Sequence, residues 1–317
     1  MLVISPPYSI SNFSKLPDKF KIVDHLGGWD SNLYNHYLHL LNQHARNQEK
    51  VFDIIYHHIL DPAALGQYAN LKIKFSPEFQ QQKNFLYFKN YNTHPKLCFK
   101  NFICSFNGSQ HVSRKLLTAA LYRFKYFDPA TCSKNFTYST EALDGHVLDY
   151  TNGMHQFYRK FFISAKSENF FQTVYSFGHV RYNHAQNIHN LENKLTQSFL
   201  HIVSETMATS YCPFVTEKFL YSIVTRGLFL AYAQPGWHAH LEKYYGFKKY
   251  SKLFDYRFDS IQNPVERLIE LMTIISKFSV LSTDDWRDLY EMESDTIEFN
   301  YNHYFSGDYL KALQSYA

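Results

Sequence analysis

Two apolar runs, 199–203 and 228–233, flank a short segment that begins Val215-Thr216-Glu217-Lys218 and ends Arg226-Gly227. Each run is of strand length and reads as a strand. The segment between them has the spacing of a helix. Strand, loop, helix, strand and loop in succession define a unit of a parallel α/β sheet. Such sheets bind ligands at the carboxyl ends of their strands. Glu205 stands at the end of the first strand, and Thr216-Glu217-Lys218 opens the helix. A helix start offers free N–H groups to phosphate. A lysine in its first turn adds charge for a diphosphate, and a neighbouring carboxylate can hold ribose hydroxyls.

The rest of the chain alternates in the same way. Strands are expected at 2–5, 20–24, 51–56, 71–75, 85–88, 99–106 and near 136–139. Helices are expected at 31–46, with Asp30 or Ser31 as N-cap, and at 113–124, 237–245 and 265–278, with another after the Ser282-Thr-Asp-Asp cap. The stretch 141–198 is polar, rich in His and Asn, and gives no readable periodicity. The fold class is therefore α/β with largely parallel sheets and a helical C-terminal end. The 317 residues suffice for two domains or one large one.

Composition narrows the function classes. With 45% hydrophobic and 18% aromatic residues the chain can build sizeable cores, which excludes a disordered protein. The net charge of +4 suits an anionic ligand and is too small to specify nucleic acid. Cys98, Cys104, Cys132 and Cys212 have no CxxC spacing and read as reduced thiols. No basic segment followed by an apolar run opens the sequence, and no apolar stretch approaches the ~20 residues of a membrane span. A cytoplasmic location is expected, which makes the Asn-x-Ser/Thr matches at Asn12, Asn107 and Asn135 coincidental.

The segment 204–236 resembles the conserved motif of α-1,3-fucosyltransferases. In that family a strand ends Phe-Glu-Asn-Ser, Tyr-Val-Thr-Glu-Lys opens a helix, and a Gly leads to an apolar strand ending Gly-Pro-Pro-Gly or similar. Here the matching residues are Ser204-Glu205-Thr206, Phe214-Val215-Thr216-Glu217-Lys218, Gly227 and Gln234-Pro235-Gly236, with Thr206 where the family has Asn. Upstream, Ser105-Phe106-Asn107 followed by Arg114-Lys115-Leu116-Leu117 resembles the family's strand, loop and Arg-bearing helix. The resemblance covers roughly 100–260.

The resemblance implies two Rossmann-like domains of the GT-B type. An acceptor-side domain would occupy 1–95, a nucleotide-sugar-binding domain 96–300 and a helical tail 301–317. It implies a metal-independent transfer from a nucleotide sugar, GDP- or UDP-linked, to a hydroxyl of a glycan. Arg114 would contact the donor diphosphate, with Lys115 in reserve. Lys218 would take the other phosphate contact, and Glu217 the ribose or the donor sugar. Asn107, Glu205 and Thr216 would complete the donor site. Sugar transfer passes through an oxocarbenium-like transition state, and a leaving diphosphate without a metal needs cations. An inverting enzyme then needs one base on the acceptor hydroxyl.

Asp24 and His25, at a strand end before Gly27-Gly28, are the candidates for that base. A capped turn explains the same residues equally well. Helix capping is likewise the plainer explanation of Thr216-Glu217-Lys218 taken alone. The pairs His57-His58 and His238-x-His240 are the obvious metal candidates. Adjacent histidines point apart, and 238–240 reads as helical, so neither pair converges on an ion and no metal or cofactor is expected. Two alternatives stand beside the glycan enzyme. One is a transferase acting on hydroxymethylated bases of phage DNA, with Lys72, Lys74, Lys83, Lys89, Lys96 and Lys100 as its basic face. The other is a non-catalytic nucleotide-sugar-binding module.

Overall fold

The structure is a computed structural model that describes residues 2–4, 16–22, 31–56, 68–75, 88–91, 98–108, 111–137, 169–178, 183–206, 208, 213 and 215–315. It contains two four-stranded sheets, both parallel throughout. The first has the order β1 (Leu2–Ile4), β2 (Lys19–Ile22), β3 (Phe52–Tyr56), β4 (Leu71–Phe75). Helix α1 (Ser31–Asn47) links β2 to β3. Leu38, Leu41 and Ala45 recur at helical spacing on α1 and are buried, as are Phe52 and Ile54 of β3. On β4, Lys72 and Lys74 are exposed and alternate with Leu71, which is buried. Charged residues on an outer strand discourage pairing with another chain.

The second sheet has the order β6 (Cys132–Lys134), β5 (Asn101–Asn107), β7 (Ser198–Ser204), β8 (Leu228–Tyr232). Helix α2 (Val112–Arg123) connects β5 to β6. Two helices, α3 (Asn169–Gln172) and α4 (His184–Gln197), precede β7. Every residue of β7 and β8 is buried, as the continuous apolar runs require. A single 3-10 turn (Glu217–Phe219) runs into α5 (Leu220–Val224) between them. Gly227 has no side chain because the His201 ring fills the space: a Cβ there would lie 2.1 Å from the imidazole. His201 is fully engaged, with Nε2 2.8 Å from the Leu195 carbonyl and Nδ1 2.9 Å from the Ser222 hydroxyl.

The C-terminal helices are α6 (Trp237–Tyr245), α7 (Pro264–Ser276), α8 (Thr283–Met292), α9 (Ser294–Ser306) and α10 (Asp308–Gln314), with a 3-10 turn Tyr256–Ser260 after α6. Their boundaries follow local chemistry. Gly246 closes α6 at φ 77°, Asn263 caps α7 ahead of Pro264, and Ser282 with Asp285 forms a full capping box on α8. Trp286 docks α8 on the sheet by stacking on Phe199 and Phe102 at 5.7 and 5.5 Å. Its indole N–H donates to the Phe278 carbonyl, so its one polar atom is satisfied. Helix α9 runs across position 301, and Tyr309 and Leu313 of α10 are fully buried. One continuous core joins these helices to the second sheet and to Phe88 and Tyr91; the buried residues of the first sheet lie outside it.

The mixed α/β architecture with parallel sheets is as the sequence predicts. Three local expectations need correction. The strand near 136–139 is β6, at Cys132–Lys134, with Lys134 bridging to Tyr175. Of the expected strand at 85–88, Phe88 lies in a turn and the remainder falls outside the described residues. The unreadable stretch contains the 14-residue helix α4.

Candidate ligand site at the carboxyl edge of the second sheet

Strand β5 has β6 on one side and β7 on the other. The chain leaves β5 toward β6 and leaves β7 toward β8, so the loops after β5 and β7 part in opposite directions. This is the switch point at which open α/β sheets form a crevice. Among the described residues the first sheet, in the order β1-β2-β3-β4, contains no such reversal. Ser113, at the start of α2, ties the two loops together. Its hydroxyl is 3.0 Å from the Glu205 carbonyl and 2.9 Å from the Thr206 carbonyl.

Glu205 follows β7 directly and is completely buried. Its Oε1 accepts the Thr216 N–H at 3.1 Å and its Oε2 accepts the Thr216 hydroxyl at 2.5 Å. Lys218 Nζ is 3.6 Å from Oε2 and donates to Thr216 Oγ1 at 2.7 Å and Thr206 Oγ1 at 3.3 Å. The Thr216 hydroxyl therefore donates to the acid and accepts from the lysine. Burial pushes the Glu205 carboxyl up, and Lys218 and Thr216 only partly offset it.

Two more charges close the cluster. Arg114 is buried, which lowers its guanidinium to about 10; Glu205 and Glu217 oppose the shift, and it stays cationic at neutral pH. Burial would raise Glu217, but Lys218, His184 and Arg114 together hold it below the ordinary carboxylate value. His184 Nε2 lies 3.8 Å from Glu217 Oε1, and Nδ1 is 2.9 Å from the Tyr221 hydroxyl. The cluster reaches solvent at Glu217 and Lys218, whose side chains are 18% and 21% exposed, and not at Glu205.

The fold thus brings Arg114, Glu205, Thr216, Glu217 and Lys218 into one electrostatic group. Thr216 does cap the turn, its hydroxyl accepting the Lys218 N–H at 3.5 Å. The helix it opens is one 3-10 turn followed by five α-helical residues, too short for a strong macrodipole, so the cationic groups there are the Arg114 and Lys218 side chains. Asn107 ends β5 on the neighbouring strand and is fully buried, with its amide N–H groups on Ser105 Oγ and the Ser133 carbonyl. Its Oδ1 has no hydrogen-bond partner. Lys115 is buried on α2, which lowers its ammonium. Asp24 and His25 lie outside the described residues, as do His57 and His58.

His238 is occupied structurally. Its Nε2 accepts the Ala231 N–H on the free edge of β8, which leaves Nδ1 to donate to Asp259 at 2.8 Å. His240 is buried and pushed down to about 3. Among the described residues no group of three or more His, Cys, Asp or Glu is arranged to hold a metal, and no helix is long and apolar enough to cross a membrane. Of the expected basic face, Lys72, Lys74, Lys89 and Lys100 are solvent-exposed; Lys83 and Lys96 lie outside the described residues.

Sequence reasoning overlooks three residues near this edge. Ser113 adjoins Arg114 and shows no motif of its own. His184 carried no local signal, since its partners lie more than thirty residues ahead. Lys134 ends β6 with its ammonium on the Phe136 and Thr173 carbonyls and 4.9 Å from the centre of the Phe170 ring; burial lowers it to about 8. No protein-family model matches the sequence, and neither a curated protein nor a solved structure matches it significantly. The resemblance to fucosyltransferases rests on its short motifs alone.

Proposed function

We propose that the switch point of the second sheet binds the diphosphate of a nucleotide sugar and that the chain is a metal-independent glycosyltransferase acting on a hydroxyl acceptor. One observation carries this reading. Arg114 and Lys218 come from different elements, and each lies beside carboxylates at the place where, among the described residues, the strand order reverses. Two fixed cations can stabilise the charge that builds on a leaving diphosphate. Glu217, at the solvent edge of the cluster, would take a ribose or sugar hydroxyl. The first sheet would supply the acceptor side, with Asp24 and His25 as the candidates for its base.

A second reading has a specific observation in its favour. Glu205 has both oxygens satisfied internally and no exposed surface, as a purely structural ion cluster would. The protein would then keep a nucleotide-binding architecture without chemistry. A transferase acting on modified DNA requires a basic groove, and Lys72, Lys74, Lys89 and Lys100 support that acceptor only weakly, being solvated.

The test is a thermal-shift panel of GDP, UDP, ADP, CMP and their sugar conjugates. A ligand at 100 times its dissociation constant adds about 2.7 kcal/mol to stability. A selective rise with one nucleotide that disappears in Arg114→Gln and Lys218→Met is the expected result. Absence of any shift, or a shift unchanged in both variants, would remove the site.

A further inference from the structure

The internal pairing at Glu205 has a consequence for binding, provided the switch point takes a diphosphate as proposed above. An ammonium has three N–H groups. Two of those on Lys218 reach Thr216 Oγ1 and Thr206 Oγ1, while Glu205 Oε2 at 3.6 Å is beyond hydrogen-bond reach. The third N–H is thus the one a ligand oxygen can take, and Lys218 is also the cation that reaches solvent. A phosphate drawn to it must approach a carboxylate that has no exposed surface. Both Glu205 oxygens are held by Thr216, its backbone N–H donates to the Tyr232 carbonyl, and Ser113 holds its carbonyl.

The charged groups around Glu205 come from three elements. Lys218 and Glu217 come from the 3-10 turn, Arg114 from α2, and His184 from α4 through Glu217. An incoming anion engages the two cations that now balance Glu205, and like-charge proximity disfavours its ionised form. We infer that the site binds a phosphate-bearing ligand together with one proton, which Glu205 takes up from solvent as the Lys218 ammonium pairs with the ligand instead. The carboxyl proton then faces Thr216 Oγ1 or a ligand oxygen and offsets one of the negative charges that the ligand brings. Anion affinity rises as pH falls, and Glu205 sets that dependence.

Titration calorimetry of the full chain tests this with UDP-glucose and GDP-fucose, whose diphosphate diesters have no titrating oxygen between about pH 5 and about pH 8. Two buffers of different ionisation heat are compared at one pH. The wild-type protein should take up a proton on binding, in an amount approaching but not exceeding about one, and affinity should rise by up to about tenfold per pH unit on acidification. In Glu205→Gln the uptake and the pH slope should disappear from the binding that remains. In His184→Gln the uptake should remain, which keeps the test decisive should the Glu205 variant not fold. Binding with buffer-independent heat would overturn the coupling and leave the site standing. Uptake lost in His184→Gln would move the proton to the imidazole and overturn the assignment to Glu205. Failure of both sugar nucleotides to bind would overturn the coupling together with the site on which it rests.

Discussion

The two sheets have the same number of strands and the same parallel pairing, yet they place charge in opposite ways. On the described residues of the first sheet the lysines Lys72 and Lys74 face water, and the strand order runs without reversal. In the second, Arg114, Lys115, Lys134 and Glu205 are buried, and the order reverses at β5. Burying charges is costly unless they are paired and hydrogen-bonded, and a fold with only structural demands can solvate them instead. Strand content alone therefore says little about where a ligand sits. The reversal, which makes two loops diverge, distinguishes the sheets.

The largest expected effect separates the two cores. Trp286→Ala should remove about 4 kcal/mol of stability, and hydrogen exchange should quicken in β5, β7 and β8 without change in β3. Phe52→Ala should show the reverse pattern. Equal loosening of both sheets by either substitution would break the comparison. Gly227→Ala drives a methyl into the His201 ring and should cost about 3 kcal/mol by denaturant unfolding, whereas a cost below about 0.5 kcal/mol would mean that β8 shifts freely.

Charge in the second sheet should matter more than in the first. Lys218→Met leaves Glu205 buried without its cation and should destabilise by about 2 kcal/mol, while Lys72→Ala should stay within about 0.5 kcal/mol. Similar costs for both would contradict a tuned ion cluster.

Acid sensitivity is smaller for each group and the easiest effect to measure. Burial pushes His201 down to about 4 and His240 to about 3. Both gain a proton on unfolding, so their stabilisation is complete above the unfolded value of about 6.5 and is lost as pH falls toward the folded values. At about pH 5.5 each should cost about 1.4 kcal/mol relative to neutral pH. The raised Glu205 acts with the opposite sign. A urea midpoint that is flat from about pH 7 to about pH 5 would show that these histidines are solvated.

Much of the second sheet was legible because its residues obey short-range rules. Continuous apolar runs gave β7 and β8, Gly246 and the Ser282–Asp285 box gave helix ends, and the position after an apolar run gave Glu205. Helix α4 was missed although Ile188, Leu191 and Leu195 recur at helical spacing and Asn183 caps it, because the intervening His and Asn residues masked the stripe. The dipole expected at Thr216 failed for a different reason. Where a helix stops depends on tertiary packing, and here it stops after Val224, five residues past the 3-10 turn. The pairing of Glu205 with Lys218 across the loop was also hidden, since only the fold brings residues thirteen apart to 3.6 Å. Gly227 shows the same limit: the sequence marks a turn, and only packing reveals the imidazole that requires it.

The most direct measurement is hydrogen exchange of the protein with and without the nucleotide that raises its melting point. Protection concentrated at 107–114, 204–206 and 215–218 is the predicted result, since a diphosphate held by Arg114 and Lys218 must order the loops after β5 and β7. Protection confined to the first sheet, or spread evenly over both, would contradict the claim that the reversal at β5 makes the site.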